Sequence, residues 1–393
     1  TLPDVVWSRG RFSAHRYADR VLDPRVASLA RVLTTHSLEL GPADAVLIHT
    51  FDTPAPVVAA IVEAVQATGA RVALRQEENL VKRQLLLGMT EENARMIAEI
   101  EHHEMEQMTA YIAIRGADNA TEMADVPGDI MQMWQREYAV PVVFGVRIPK
   151  TKWVVLRWPN PAMAQAASMS TRAFEDFYFR VCNLDYAQMA RAVEPLVDLM
   201  NRTDRVRVTA PGTDFSFTIR GIGSVPCTGR RNIPDGECFS APVPGTVEGM
   251  VRFNTRSLYQ GTIFEEITYR MAGGRIVEAS AGANTGKLND ILDTDEGGRA
   301  FGEFSIGFHP HILEPMLDTL FDEKIAGSIH FTPGSSYAPP GGNGNESAIH
   351  WDTVLIQRPE YGGGDIYFDD VLIRKDGIFV LPALLGLNPD RLG

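Results

Sequence analysis

Carboxylate, imidazole and phenol side chains gather in four short segments in the second half of the chain. The segments are residues 232–237, 302–307, 322–337 and 347–352. The side chains in them that could do chemistry are those of Glu237, Glu303, His330, Tyr337, His350 and Asp352. Oxygen and nitrogen donors without sulfur suit Zn, Co, Mn or Mg rather than a soft-metal centre. The set therefore predicts a site for divalent metal ions.

Local spacing supports a common site for these side chains. His350 and Asp352 are two residues apart, so on a strand they would project from the same face. Glu237 follows a Pro-Asp-Gly turn and Glu303 follows Gly302, and the backbone can approach a site closely at such positions. We expect all four segments to lie close together in the fold.

Each of these residues also has an ordinary structural interpretation. A glutamate after a turn is usually solvated, and a histidine on a strand usually makes a structural hydrogen bond. His309 and His311, on either side of Pro310, are further candidate ligands. The prediction of a metal site therefore depends on the set and not on any single residue.

Several common catalytic motifs are absent. His102-His103-Glu104 lies in a helical pattern, but Gln107 occupies the place of the second histidine of a His-Glu-x-x-His zinc motif. Gly286-Lys287 lacks the upstream glycine of a phosphate loop, and there is no Gly-x-Ser-x-Gly elbow. The turn after the first predicted strand has no glycines, which argues against a dinucleotide fingerprint.

Composition limits the class of protein. The 393 residues include 37 Lys and Arg against 50 Asp and Glu, for a net charge of −13. This charge predicts neither a nucleic-acid nor a membrane partner. Three cysteines without Cys-x-x-Cys spacing predict neither a disulfide framework nor a thiolate zinc site. Residues 1–20 lack a signal-peptide core and no apolar stretch could cross a bilayer, so we expect a cytoplasmic protein.

The first half of the chain reads as alternating strands and helices. Strands are predicted at 45–50, 71–74, 109–114 and 154–156, and helices at 57–67, 90–105 and 171–200. Thr53 is predicted to cap the helix at 57–67, with Pro54 in its first turn. Such alternation predicts a parallel sheet with helices on both faces.

The second half has a different pattern of predicted secondary structure. Short strands are predicted at 205–209, 215–219, 249–252, 275–277 and 366–368, with many turns and few helices. The sequence therefore predicts an α/β amino-terminal domain with a parallel sheet over residues 1–200. It predicts a β-rich α+β catalytic domain that binds metal over residues 201–393.

The segments together resemble the thermophilic metallo-aminopeptidase family of the aminopeptidase T and aminopeptidase S type. The resemblance rests on Asn-x-Pro-x-Gly-Glu at 232–237, Gly-Glu at 302–303, Asp-Glu-Lys-Ile-x-Gly-x-Ile-His at 322–330, Ser-Tyr at 336–337 and Ser-Ala-Ile-His-Trp-Asp at 347–352. It covers nearly the whole chain. It implies metal ligation by Glu237, Glu303, His330, His350 and Asp352, with Tyr337 at the metal centre. It also implies a pair of divalent ions and a homodimer acting on small peptides.

The resemblance also implies a mechanism of amide hydrolysis by water shared between two metal ions. We assign Glu237 as the bridging ligand, Glu303 as the general base and Tyr337 as a hydrogen-bond donor to the oxyanion, although the two glutamates could exchange roles. Cys238 and the Phe304-Ser305 pair depart from the family pattern. The segment between Tyr337 and His350 is also shorter than in the family, which would reshape the substrate pocket.

Other functions remain open at this level. A related ring-cleaving branch, 2,5-dihydroxypyridine dioxygenase, uses one iron with two His and one Asp and has His in the place of Glu303. Retention of Glu237 and Glu303 argues against that chemistry here. The same scaffold could serve a hydrolase of non-peptide amides or a metal-binding protein without turnover.

Overall fold

The parallel sheet of the first half forms where the alternating pattern predicts it. The computed structural model describes residues 23–393. Four of the sheet's strands are β1 (Ala45–Phe51), β2 (Arg71–Glu77), β3 (Ala110–Arg115) and β4 (Lys152–Arg157). They pair in parallel in the order β2-β1-β3-β4. The apolar run of β1 is buried on both faces, as expected for a central strand of a covered parallel sheet.

Helices cover both faces of this sheet. Val46 and Ile48 of β1 belong to one apolar cluster and Leu47, on the opposite face, belongs to another. The helices of the first half are Pro24–Arg31, Ala55–Ala67, Asn79–Leu87, Glu91–Glu106, Gly128–Trp134, Ile148–Lys150, Pro161–Ala166, Thr171–Cys182 and Tyr186–Arg202, with wider helical turns at Val32–Ser37 and Gln135–Arg147. The predicted α/β layer is therefore present.

Two details of the helix predictions are wrong. The helix Ala55–Ala67 has Pro54 at its cap position and Pro56 in its first turn, because the Thr53 hydroxyl donates to the carbonyl of Phe51 instead of accepting from the helix. The helical stretch predicted at 171–200 is two helices. It breaks after Cys182, and Asp185 caps the second helix by accepting from the backbone amide of Gln188.

Antiparallel strands dominate the second half. They are β5 (Arg205–Ala210), β6 (Thr213–Thr218), β7 (Val225–Cys227), β8 (Asn232–Ile233), β9 (Glu237–Ser240), β10 (Glu248–Arg252), β11 (Ser257–Tyr259), β12 (Thr262–Phe264), β13 (Thr268–Ala272), β14 (Arg275–Ser280), β15 (Phe301–Gly307), β16 (Ser328–Pro333), β17 (Thr353–Ile356), β18 (Asp365–Phe368), β19 (Val371–Lys375) and β20 (Ile378–Phe379). The α-helices here are short, at Thr285–Leu292, Thr319–Asp322 and Pro389–Leu392.

These strands form two main sheets and a hairpin. One sheet has the order β14-β13-β10-β6-β5-β18-β19-β20, a second has the order β17-β16-β15-β9-β7, and β11 pairs with β12. The exception is β8, which pairs in parallel with β4 and so extends the sheet of the first half. The division into domains at residue 200 stays a prediction.

An aromatic layer joins the two main sheets. Phe217 of β6 packs on Phe304 of β15 with ring centroids 4.9 Å apart and on Phe331 of β16 at 5.3 Å. Phe215 and Phe301 also contact Phe331, at 4.9 and 4.0 Å. Aromatic pairs at these separations add to the free energy of apolar burial. One face of the sheet β17-β16-β15-β9-β7 therefore packs against apolar side chains of the other main sheet.

The remaining sequence-level expectations have mixed outcomes. The three cysteines are free, as predicted. No helix among residues 23–393 is long and apolar enough to cross a membrane. The expectation that residues 1–20 lack a signal peptide concerns a segment outside the described residues.

We expect Gly302→Ala to destabilise the fold, because a Cβ at this position would lie 2.2 Å from the carbonyl oxygen of Ser335. Overpacking of this kind costs about 1–3 kcal/mol in the free energy of unfolding, which urea denaturation of the metal-free protein would measure. The matched control is Gly286→Ala, where a Cβ would meet nothing within 4 Å. Equal stability of the two variants would contradict the close packing at Gly302.

Candidate metal centre

The polar residues of the candidate metal centre lie on one face of the sheet β17-β16-β15-β9-β7. On β15, Glu303 and Ser305 alternate with Phe304 and Ile306, which face the aromatic layer or its apolar surroundings. The whole strand is buried, and Glu303 is only 3% exposed. A strand buried on both faces with polar residues on one of them requires partners for those residues.

Strand register brings His330 and Glu237 to this face. His330 of β16 lies opposite Ser305, and Glu237, the first residue of β9, lies opposite Gly307. His330 Nε2 is 3.2 Å from Glu303 Oε1, and His330 Nδ1 is 3.5 Å from Glu237 Oε2. Three residues that are far apart in sequence therefore meet within hydrogen-bonding or near-contact distance.

His350 and Asp352 also reach Glu303, although they do not lie in a regular strand. His350 makes an isolated bridge with Gly334, and β17 begins only at Thr353. His350 Nε2 is 3.4 Å from Glu303 Oε2 and 3.3 Å from Asp352 Oδ1. The two side chains converge as the two-residue spacing predicts, but in an extended segment that precedes the strand.

The donor atoms form two groups that share one residue. Glu237, Glu303 and His330 each offer an atom within 4.8 Å of the others, and so do Glu303, His350 and Asp352. All five predicted ligands are thus brought together, and Glu303 belongs to both groups. Its two carboxylate oxygens face different imidazoles, Oε1 towards His330 and Oε2 towards His350.

Contacts around the groups orient the ligands. His350 Nδ1 lies 2.8 Å from the carbonyl oxygen of Ser335, so this nitrogen donates and Nε2 is the atom that could bind a metal ion. His350 Nε2 is buried and has no hydrogen-bond partner among residues 23–393. The Thr332 hydroxyl donates to Asp352 Oδ1 at 2.7 Å. A buried, unpartnered imidazole nitrogen aimed at two carboxylates fits a bound cation.

Charge at the centre is dominated by carboxylates. Burial alone would lower the pKa of His330, but the nearby Glu237 and Glu303 raise it to about 10. Burial likewise opposes a rise at His350, yet Asp352 and Glu303 raise its pKa to about 12. In the absence of a metal ion both imidazoles are in the charged imidazolium form at neutral pH. A cation must displace a proton from each imidazole in order to bind to it.

Lys324 is a member of the centre that the ligand pattern did not single out. Its side chain is fully buried, and its Nζ donates to Glu237 Oε1 at 2.7 Å and to Glu323, and lies 3.8 Å from Asp235 Oδ1. Burial alone would lower the pKa of Lys324, but Glu237 and Glu323 hold it well above its usual value. Its position in the Asp-Glu-Lys segment that precedes His330 was the sequence feature from which its membership of the centre could have been predicted.

A cysteine also lies beside the centre. Cys227, Asp235 and Glu237 have donor atoms within 4.8 Å of one another. Burial raises the pKa of the Cys227 thiol well above its usual value, with Asp235 and Glu237 adding to the rise. Because the thiolate is the form that binds metals, this group is a poor metal site.

The remaining candidates are placed differently. The ring of Tyr337 lies beside the ring of His350, with centroids 5.3 Å apart, and 5.1 Å from that of Phe239. His309 is buried away from both donor groups, with Nε2 3.1 Å from the carbonyl oxygen of Val181, and burial lowers its pKa to about 3. His311 donates its backbone amide to His309 Nδ1. Neither histidine joins the donor groups.

We expect Lys324→Met to destabilise the metal-free protein, because the substitution leaves the buried Glu237 and the partly buried Glu323 without their countercharge. Removing one partner of a buried ion pair costs about 3–5 kcal/mol in the free energy of unfolding, measured by urea denaturation. Lys375→Met, at an exposed position of β19, is the matched control and should change little. A similar small effect in both variants would contradict the role of Lys324.

Two named relatives match part of the chain. Aminopeptidase 2 of Geobacillus stearothermophilus is 28% identical over 267 residues, which cover 57% of this chain and 62% of that protein. Aminopeptidase T of Thermus aquaticus is 28% identical over 267 residues, which cover 58% of this chain and 65% of that protein. The chain thus matches less than two thirds of the length of either relative.

Two solved structures share the fold. Wild-type AmpT from Thermus thermophilus has a TM-score of 0.75 at 23% identity and covers 91% of this chain and 99% of its own. The 2,5-dihydroxypyridine dioxygenase from Pseudomonas putida KT2440 has a TM-score of 0.58 at 14% identity and covers 92% and 98%. At these identities the likeness concerns the fold alone. A family model described as thermophilic metalloprotease (M29) matches residues 22–361, and the chain belongs to this family.

Proposed function

We propose that the protein is a metal-dependent aminopeptidase that hydrolyses amino-terminal residues from small peptides at a pair of divalent ions. The observation that carries the proposal is the sharing of Glu303 by two donor groups. A mononuclear site needs only one such group, whereas two adjacent groups with a common carboxylate suit two ions. Membership of the metalloprotease family and the aminopeptidase names of the relatives support the same reaction class.

Geometry favours one of the two role assignments that the sequence left open. Glu303 faces both imidazoles, whereas Glu237 has Oε1 on Lys324 and accepts from Ser305 at Oε2. We therefore assign Glu303, rather than Glu237, as the shared ligand. Ions bound there would lower the pKa of a shared water and polarise the peptide carbonyl.

The residues of the chain supply the remaining steps. With Glu303 as the shared ligand the two glutamates exchange roles. Glu237, whose Oε2 lies 3.5 Å from His330 Nδ1, is then assigned to accept a proton from the water and pass it to the leaving amine. Tyr337, beside His350, is assigned to donate a hydrogen bond to the oxyanion. An acidic side chain of the centre can bind the amino terminus of a peptide.

Metal content should separate the shared ligand from the others. We expect about two ions per chain in the unsubstituted protein, about one in His330→Gln and in Asp352→Asn, and loss of both in Glu303→Gln, because only Glu303 serves both groups. Mass spectrometry of dialysed, metal-loaded protein measures the content.

The control for metal content is Tyr337→Phe, which should keep both ions while kcat falls by about 10²–10³-fold through loss of the oxyanion donor. If Glu303→Gln retained both ions, the shared-ligand role would be wrong. Retained turnover in Glu237→Gln would contradict the base role of Glu237.

The reaction class is tested by peptide hydrolysis. We expect the unsubstituted protein to release the first residue of unblocked dipeptides, to lose this activity with a chelator and to regain it with Zn, Co, Mn or Mg. N-acetylated versions of the same dipeptides are the matched control and should not be cleaved. Oxygen uptake with Fe(II) and 2,5-dihydroxypyridine, in place of peptide hydrolysis, would favour the ring-cleaving alternative. Full metal occupancy without either reaction would favour a binding protein.

Two finer expectations belong to the proposal as well. We propose a homodimer, which light scattering at known protein concentration would test. We also propose a cytoplasmic location, which cell fractionation would test. Neither affects the assignment of the metal ligands.

A further inference from the structure

The carboxylate of Glu237 is held at both of its oxygens. Lys324 Nζ donates to Oε1 at 2.7 Å, and the Ser305 hydroxyl donates to Oε2 at 3.0 Å. Glu237 is buried, and Lys324 and Ser305 have no exposed surface. The two donors come from different elements, since Ser305 lies on β15 and Lys324 follows the short helix Thr319–Asp322. Two independent parts of the fold therefore meet at one carboxylate.

Glu303 has partners of another kind. Its Oε1 lies 3.2 Å from His330 Nε2, and its Oε2 lies 3.4 Å from His350 Nε2. Imidazole nitrogens bind metal ions themselves, whereas an ammonium group has no lone pair to offer a metal. The contacts of Glu303 therefore suit a shared metal ligand. The contact of Glu237 with Lys324 suits a carboxylate that keeps its position beside the ions.

The ammonium group of Lys324 is itself fixed by other carboxylates. It also donates to Glu323 and lies 3.8 Å from Asp235 Oδ1. Asp235 in turn accepts from the backbone amides of Gly229 and Gly236, at 2.7 and 3.1 Å. A flexible side chain is thus held at its charged end, and its distance from Glu237 is determined by its surroundings.

The Ser305 hydroxyl has one proton and two acceptors within reach. Its oxygen lies 3.0 Å from Glu237 Oε2 and 3.2 Å from the carbonyl oxygen of Cys238. A hydrogen bond to an ionised carboxylate is stronger than one to a neutral carbonyl, so the proton points to Glu237. The neighbouring side chains of Phe304 and Ile306 are buried in the apolar core, which fixes the strand that carries the hydroxyl.

A general base depends on the orientation of its carboxylate. The terminal torsion of a glutamate side chain has broad minima, so a carboxylate without partners rotates easily. The base must present one oxygen to the water, and an error of about 1 Å in position can cost about 100-fold in rate. Donors on both oxygens remove this rotational freedom from Glu237.

We propose that Ser305 and Lys324 are positioning residues that hold the carboxylate of Glu237 in the orientation from which it accepts a proton from the water. Both act through Glu237 and neither contacts the substrate. This inference rests on the proposed aminopeptidase function and on the role of Glu237 as its base.

Ser305→Ala tests the inference in the metal-loaded full chain. We expect kcat for unblocked dipeptides to fall by about 10–100-fold, as for loss of one hydrogen bond to a charged group. KM and the content of two ions per chain should stay unchanged. Ser305→Thr keeps the hydroxyl and should recover most of kcat.

Ser240→Ala is the matched control. Ser240 is a fully buried serine of β9, the strand that carries Glu237, and its hydroxyl donates to the carbonyl oxygen of Gly223 at 2.7 Å. Its loss removes a buried hydrogen bond of the same sheet without changing the contacts of Glu237, so kcat should be retained.

Lys324→Met provides a second variant. It removes the donor to Glu237 Oε1, so kcat should fall by at least as much as in Ser305→Ala. Circular dichroism shows whether this variant folds, and if it does not, the Ser305 variants decide. Unchanged kcat in Ser305→Ala, an equal fall in Ser240→Ala, or a fall that accompanies loss of an ion would overturn the positioning role.

Crystal structures of the metal-free variants provide a measurement that does not depend on turnover. We expect the Glu237 carboxylate to rotate or to occupy more than one orientation in Ser305→Ala, and to stay in place in Ser240→Ala. If the unsubstituted protein cleaved no peptide, the aminopeptidase would be overturned, and these structures would still judge the contact. A displaced carboxylate in Ser305→Ala supports the holding of Glu237, and an unmoved one overturns it.

Discussion

Buried negative charge is the constraint on which the rest of the structure depends. Glu237 and Glu303 are buried and Asp352 is partly buried, and each of the three carboxylates lies within 3.5 Å of an imidazole nitrogen. Each buried ion costs several kcal/mol unless an opposite charge and hydrogen bonds compensate it. Lys324 supplies a fixed countercharge at Glu237, and protons on the two imidazoles supply a replaceable one. Divalent ions can take the place of the protons, which couples metal binding to the charge balance of the core.

The fold holds these charges together through the sheet β17-β16-β15-β9-β7, whose two faces have different roles. The aromatic layer around Phe217, Phe304 and Phe331 immobilises one face. The opposite face presents Glu303 and His330 from adjacent strands. Close packing of Gly302 against the backbone at Ser335 places the carbonyl that orients His350. The elements that are remote from the chemistry therefore determine where the ligand atoms lie.

Sequence patterns predicted the parts of this architecture that depend on local periodicity or on a specific motif. The strand Ala45–Phe51 and the helix Glu91–Glu106 lie where apolar spacing and the Thr90 cap place them. The five predicted ligands converge as their motifs, taken as a set, indicate. The cap at Thr53 was misassigned because its hydroxyl bonds to the preceding strand instead of to the helix.

Other features could not be read from the sequence because they depend on contacts between distant segments. Full burial of Lys324 follows from packing among Asp235, Glu237 and Glu323, and lysines are usually exposed. The choice of Glu303 over Glu237 as the shared ligand needed the distances of both carboxylates from both imidazoles.

Anomalous diffraction at a metal absorption edge, from crystals of the full chain grown with Zn, tests most directly whether two ions share Glu303. We expect two peaks, one on each side of Glu303, each about 2.0–2.2 Å from one of its carboxylate oxygens. One peak would lie near His330 and Glu237, and the other near His350 and Asp352. A single peak, or two peaks of which one lies beyond the reach of Glu303, would contradict a pair of ions that share this carboxylate.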